Sequence, residues 1–366
     1  MSNQENEQIK RHSCQNCAAD MVFDPAVGKL LCPYCDAQKT IAVNLADVVE
    51  QDFETFLKKG GLELQPIASN ALQITCNSCG ATVTFIPPTT ASSCDFCGAK
   101  LVAQPKAADP LVAPEGVLPF SVTSSDAQKA LSNWTSSRWF APSALKTMAT
   151  QDKADSVYVP YWTFDAASWT DYTGQRGDDY QDTEYYTDSE GNQQSRTVTK
   201  TNWSYASGSV SRDFDDVPVP ASTSVLPEYI SRLNWDFENL VSYDPGYLSG
   251  HLAQTYQVTL EEGYERFKTI ADGIIRGDVR SDIGGDKQSI DSMSTAFSKV
   301  TFKHVLMPVY AGAYKFNAKT FQIVINGRTG EVYGERPYSA LKIGCLVIFI
   351  AFVLLFIILL IGLLSR

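Results

Sequence analysis

Basic charge is in short supply in this sequence. Against 41 Asp and Glu stand 30 Lys and Arg, a net charge of −11, and a surface of that sign repels phosphate backbones instead of gathering them. The first 110 residues carry eight basic and twelve acidic side chains with no basic stripe, so nucleic acid is an unlikely partner. Histidine is scarcer still: His12, His251 and His304 lie too far apart in the chain for their spacing to mark a metal triad. The G-x4-GK[ST] loop that cradles nucleotide phosphates is missing, which argues against a P-loop ATPase or helicase. The opening stretch "MSNQENEQIKRH" has no apolar core, so no secretory signal is expected and the bulk of the chain should stay in a reducing compartment.

Cysteine is present in a conspicuous pattern. Cys14, Cys17, Cys32 and Cys35 form a C-x2-C-x14-C-x2-C frame, and Cys76, Cys79, Cys94 and Cys97 repeat it exactly in spacing. The repeat runs deeper than sulfur: Ala19 matches Ala81, Phe23 matches Phe85, Pro25 matches Pro87, Tyr34 matches Phe96 and Ala37 matches Ala99. In a reducing setting, paired CxxC knuckles separated by a small hairpin supply the four soft donors of a tetrahedral zinc site. The spacing therefore predicts a duplicated zinc ribbon with two structural Zn2+ ions, each closing its own shell and leaving no open position for catalysis. Units this poor in apolar residues would draw most of their folding free energy from the metal.

The order along the chain follows composition. Residues 1–11 read as a flexible tail, 12–40 as zinc ribbon 1, 41–73 as a helical linker, 74–102 as zinc ribbon 2 and 103–116 as a Pro/Ala-rich linker. In "LADVVEQDFETFLKKGG", Val49, Phe53, Phe56 and Leu57 share one face of an expected amphipathic helix. Residues 117–338 read as an antiparallel α+β domain. "SSDAQKALSNWTSSRW" should be a helix capped by serine, with a second short helix after Pro142. "DSVYVPYWTFDAASWTDYTG" reads as a strand, and two alternating segments about "SEGN" as a long exposed hairpin. Leu260, Tyr264, Phe267, Ile274 and Ile275 predict a helix, followed by a meander of "KVTFKHVLMPVYAGAYKF", "KTFQIVING" and "GEVYG". The aromatic cluster Trp134, Trp139, Phe140, Tyr158, Tyr161, Trp162 and Phe164 is expected in the core.

Ile343 to Leu364 is an unbroken apolar run without charge. As a helix it reaches roughly 33 Å at about 1.5 Å per residue, enough for the hydrocarbon core of a bilayer. The expectation is a single-pass tail anchor in the cell membrane. Arg328, Arg336 and Lys342 before it, against Arg366 after it, favour keeping the N-terminal bulk in the cytoplasm.

Other constellations carry little. Ser143 with Lys146 and Ser339 with Lys342 each spell S-x-x-K, but the second abuts the apolar run. Asp178-Asp179 and Asp215-Asp216 are expected as solvated loop acids, and Gly284-Gly285-Asp286-Lys287 as a turn. No residue presents itself as catalytic, and no small-molecule substrate is evident.

The segments "RWFAPSALK", "VPYWTFDAASWTDYTGQRGDDY", "SDIGGDKQSI", "VTFKHVLMPVYAGAY" and "INGRTGEVYGERPYSALKI" together resemble a bacterial family of zinc-ribbon membrane proteins. Its members often carry the label "primosomal protein N′, helicase-like". The resemblance covers nearly the whole chain and implies partners such as phage-shock-protein-A-type membrane-stress proteins or SPFH-domain proteins. It transfers the eight cysteines as metal ligands and no catalytic residue. The reading it supports is a non-enzymatic, membrane-anchored adaptor that docks proteins; the alternative is a replication or helicase-like factor, which the acidity and the missing P-loop disfavour.

Overall fold

The computed structural model describes residues 12–41, 48–58, 72–75, 82–85, 91–93, 100–102, 106–107, 112–142, 154–223, 227–316 and 319–364. Calls that fall elsewhere lie outside the described residues. They are the tail at 1–11, the helix after Pro142 with Ser143 and Lys146, and Cys76, Cys79, Cys94 and Cys97.

The first ribbon consists of β1 (Val22–Asp24), β2 (Lys29–Leu31) and β3 (Gln38–Lys39), an antiparallel sheet in that order. Next come β4 (Gln51–Asp52) and α1 (Phe53–Lys58), then the short strands β5 (Leu72–Thr75), β6 (Thr82–Phe85), β7 (Ala91–Ser93), β8 (Lys100–Val102) and β9 (Lys106–Ala107). The remainder builds one body. It contains β10 (Gly116–Val117), α2 (Ser124–Ser136), β11 (Asp155–Thr187), β12 (Gln193–Pro220), α3 (Pro227–Ile230), β13 (Val241–Ser242) and β14 (Leu252–Ala253). It continues with α4 (Leu260–Ile283), β15 (Lys287–Phe316), β16 (Lys319–Asn326) and β17 (Val332–Gly334), and α5 (Ala340–Leu364) leaves it.

The body is a nine-stranded, mostly antiparallel sheet ordered β12-β11-β15-β10-β13, with β16 and β17 continuing from β15 as the expected meander. Its three long strands run 33, 28 and 30 residues, far beyond the usual 3–10. Each changes character midway. Val157, Tyr158, Val159, Tyr161, Trp162 and Phe164 are buried without alternation, as are Phe302 and Val305 to Val309 across from them, because both faces of the sheet are covered there. Beyond Asp165 the burial alternates. Ala166, Ser168, Thr170 and Tyr172 face inward while Trp169 and Asp171 face water, the signature of a sheet covered on one side. The changeover is marked by bulges between Phe164 and Ala166 toward β12 and between Asp165 and Ala167 toward β15, with Asp216 and Lys299 at positive φ beside them.

The covering element of the outer half is α4. A capping box joins Thr259 and Glu262 at its start, and Gly284 at φ 66° stops it. It buries Gly263, Phe267, Ala271, Ile275, Val279 and Ile283, a four-residue stripe that fits one helix face. A Cβ on Gly263 would come within 2.7 Å of Trp162 Cδ1, so glycine is what lets the helix lie this close. Ile274, placed on the packed face by spacing, is 39% exposed because the stripe runs through Ile275 instead. The hairpin past the end of α4 is exposed on both faces. Its turn is closed by Asp188, whose carboxylate accepts the amides of Glu190 and Asn192.

Three further local expectations shift. The cap of α2 is Thr123, not a serine: its hydroxyl accepts the Asp126 amide. The helix expected from Val49 starts at Phe53, since Gln51 and Asp52 pair with β15 as β4. Val49 is left 66% exposed. Phe53 and Phe56 then insert among Phe164, Phe302 and Tyr264, so this part of the segment between the two cysteine frames belongs to the body's core. Trp139 also departs from the core expectation: it follows the end of α2, outside the helix's buried face, and is 62% exposed.

Candidate metal centre

Two symmetric knuckles shape the thiol site. In the first, the Ala18 amide donates to the Cys14 carbonyl and the Cys14 amide to the Ala19 carbonyl. In the second, the Asp36 amide donates to the Cys32 carbonyl and the Cys32 amide to the Ala37 carbonyl. Ala18 and Asp36, each directly after the second cysteine of its pair, sit at φ 61° and 57°. A left-handed residue at that place turns the chain sharply enough to aim both thiols of a pair at one point.

All four sulfurs, those of Cys14, Cys17, Cys32 and Cys35, lie within 4.8 Å of one another. The Cys14–Cys35 and Cys17–Cys32 separations are 3.5 and 3.4 Å. Four ligands about 2.3 Å from a tetrahedral ion stand roughly 3.8 Å apart, so the quartet has the size of a Zn(Cys)4 shell. Cys14 and Cys32 are buried, and Cys17 and Cys35 are exposed. Amides of Asn16 and Cys17 pointing at Cys14 draw its thiol down to about 7. The Tyr34 amide likewise lowers Cys32. For Cys35 the Ala37 amide also pulls downward, but the neighbouring Cys14 and Cys32 thiols outweigh it and push the group up to about 12. Four thiolates cannot crowd together without a cation, and a divalent ion would supply that charge while releasing protons. The site could thus bind a metal ion, and four sulfur donors suit zinc.

The ribbon is not a free bead. Phe23, 3% exposed, stands edge-on to Tyr247 at 5.2 Å and near His251 at 6.2 Å. Its amide donates to the Ser249 carbonyl, and the Ser249 hydroxyl donates to the Met21 carbonyl. Gly250, at φ 86°, lies where a Cβ would come within 2.9 Å of Val22. One face of the ribbon is therefore fused to the loop at 244–251, while Tyr34 on the second knuckle is 81% exposed.

A second polar constellation lies at the bulge. Lys303, with its side chain 7% exposed, reaches Asp216 at 2.6 Å and Glu50 at 3.2 Å. Thr301 donates to Glu50 at 2.9 Å, and Asp165 accepts the Asp216 amide. Burial pushes the Asp165 carboxyl up to about 6 against the pull of that amide and of Lys303. Sequence reasoning missed this group and took Asp216 for a solvated loop acid. The available signal was a charge interrupting each of two apolar runs, Asp165 in "VPYWTFDAAS" and Lys303 in "VTFKHVLMPV". Asp178 and Asp179 are also strand residues: the first pairs with Arg176, the second with Lys287.

The remaining expectations resolve simply. His304 is buried and its Nδ1 bonds to the Val112 carbonyl at 2.8 Å, as a packed histidine should. Gly284 to Lys287 is the turn between α4 and β15. Ser339 and Lys342 form a helix start, with the Lys342 amide on the Ser339 hydroxyl. Arg328 is committed to Asp236 at 2.6 Å. In α5, none of Ala340–Ile358 is buried, and the helix is long and apolar enough to cross a membrane.

Compared with known proteins, the chain is similar to the uncharacterized protein YdjG of Bacillus subtilis (strain 168), with 26% identity over 339 residues. The match covers 92% of each chain. No family model matches, and no solved structure shows a significant match.

Proposed function

We propose that this chain is a non-enzymatic adaptor, held on the cytoplasmic side of a membrane by α5, whose two zinc-loaded ribbons dock a protein partner. The observation that carries the reading is the two-sided first ribbon: one face is spent on the body, and the opposite knuckle presents an uncovered Tyr34 beside the four-thiol quartet. A closed shell holds a surface in shape and leaves no coordination site for substrate.

The second ion rests on the repeated frame and on one refinement of it. Where the first ribbon needs positive φ, at Ala18 and Asp36, the second frame has Gly80 and Gly98. Glycine adopts that conformation without steric cost. The cytoplasmic orientation rests on Arg336 and Lys342 before the apolar run against Arg366 after it. Phage-shock-protein-A-type or SPFH-domain proteins as partners, and a role in membrane stress, rest on the family resemblance.

The test is a pull-down of the full-length protein from mild detergent, compared with Tyr34→Ala and with Cys76→Ser/Cys79→Ser. The specific partners should be lost from the variants while each still floats with membranes. An unchanged partner set in both variants refutes docking through the ribbons.

A further inference from the structure

The first turn of α5 is tied to a loop far away in sequence. The Ser339 amide donates to the Phe140 carbonyl at 2.8 Å, and Lys342 Nζ donates to the Ala141 carbonyl at 2.7 Å. The loop following α2 is thereby fixed at the level where the apolar helix begins. Around this junction the large side chains are uncovered: Trp139 and Tyr338 are each 62% exposed, and Leu341 is 77% exposed. The cations here are equally distinctive in so acidic a chain. Arg138 lies over the Trp134 ring at 5.3 Å and Arg336 over the Tyr338 ring at 5.4 Å. Among the described residues, neither they nor Lys342 pairs with a carboxylate.

Indole and phenol rings prefer the boundary between hydrocarbon and headgroups, and Arg or Lys beside them can reach lipid phosphates while burying their stems. Unpaired cations at that depth are attracted to anionic lipid. We propose that the base of the body is itself a membrane-binding surface, with Trp139 and Tyr338 seated in the interface and Arg138, Arg336 and Lys342 meeting anionic phospholipid headgroups. This surface rests on the reading of α5 as a membrane span and adds a second contact to it. A lone helix would let the body swivel. A helix plus a wedged loop fixes how the body stands on the bilayer.

The test uses the full-length protein reconstituted into vesicles of neutral lipid, with or without anionic phosphatidylglycerol, in which some lipids are brominated high on the acyl chain. Flotation with the vesicles reports on α5, and quenching of tryptophan emission reports on the wedge. Trp139→Phe should remove about half or more of the bromine-sensitive emission, because the exposed Trp169 and Trp203 lie on the outer arm. Phosphatidylglycerol should deepen quenching in the parent but not in Arg138→Gln/Arg336→Gln. Protein that floats normally yet shows the same quenching with and without Trp139 overturns the wedge while leaving the anchor standing. Protein that fails to float overturns both.

Discussion

Replacing Lys303 by methionine keeps most of the length and packing of the side chain but withdraws the cation that, among the described residues, pairs with Asp216 and Glu50 and faces Asp165. Breaking a buried pair from one side costs about 3–5 kcal/mol because the partner's charge is left uncompensated. Here Glu50 is 42% exposed and can return to water, so about 2–4 kcal/mol is the better figure. For a body of this size that corresponds to a drop of roughly 5–15 °C in Tm, read by intrinsic fluorescence in detergent. The loss should depend on pH with a definite sign. The folded Asp165 carboxyl is raised to about 6, so its contribution to stability is complete below its ordinary value near 3.9 and disappears as pH rises through about 6. Lys303 is one of the groups holding that value down, so removing it raises the value further. The deficit of Lys303→Met should therefore be greatest near pH 8 and shrink toward pH 5, where Asp165 takes up a proton. Lys303→Met/Asp216→Asn should recover part of the loss, since both charges of the closest pair are then gone. Equal deficits at the two pH values, or a shift under about 1 kcal/mol at pH 8, would refute the assignment of these groups as one coupled cluster.

Cys32→Ser should remove one zinc ion per chain, by elemental analysis of protein purified without chelator; an unchanged content would exclude the first quartet as a site. Gly250→Val should drive a side chain into Val22 and free the first ribbon from the body, so that limited proteolysis separates the ribbon from the body much faster while the body stays intact. His304, held down to about 4 by burial, should contribute stability that is present above its ordinary value near 6.5 and is lost as pH falls toward 4, up to roughly 3 kcal/mol. His304→Asn can still donate to the Val112 carbonyl and should flatten the decline in Tm between pH 7 and pH 5. Thr259→Ala should cost about 1 kcal/mol through loss of the α4 cap, visible as a lower Tm without loss of metal.

The parts of this molecule governed by short-range rules were legible in its sequence. The CxxC spacing placed Cys14, Cys17, Cys32 and Cys35 around one point, the "SEGN" punctuation located the hairpin turn, and Gly284 to Lys287 read as the turn that follows α4. What escaped depended on contacts between distant segments. Val49 fits a helical stripe with Phe53, yet pairing of Gln51 and Asp52 with β15 pre-empts the helix there. Ile274 and Ile275 are equally apolar, and only the position of the sheet beneath decides which is covered. Asp216 and Lys303 are far apart in the chain and meet because two bulges bend the long strands at the same level. No local pattern encodes that meeting, although a charge inside each apolar run hinted at it.

Phe56 and Val112 both end in the aromatic cluster around Trp162 and Phe302, although residues 59–111, with the whole second cysteine frame, lie between them. The two ends of that stretch are therefore neighbours on the body, and none of β5 to β9, the strands described within it, pairs with the large sheet. Such an arrangement decouples its evolution from that of the scaffold: its contents could lengthen, diverge or be exchanged for another module without disturbing a single strand pairing of the large sheet. The two points where the chain enters and leaves that stretch are pinned together, a few residues from the bulge where Lys303 sits.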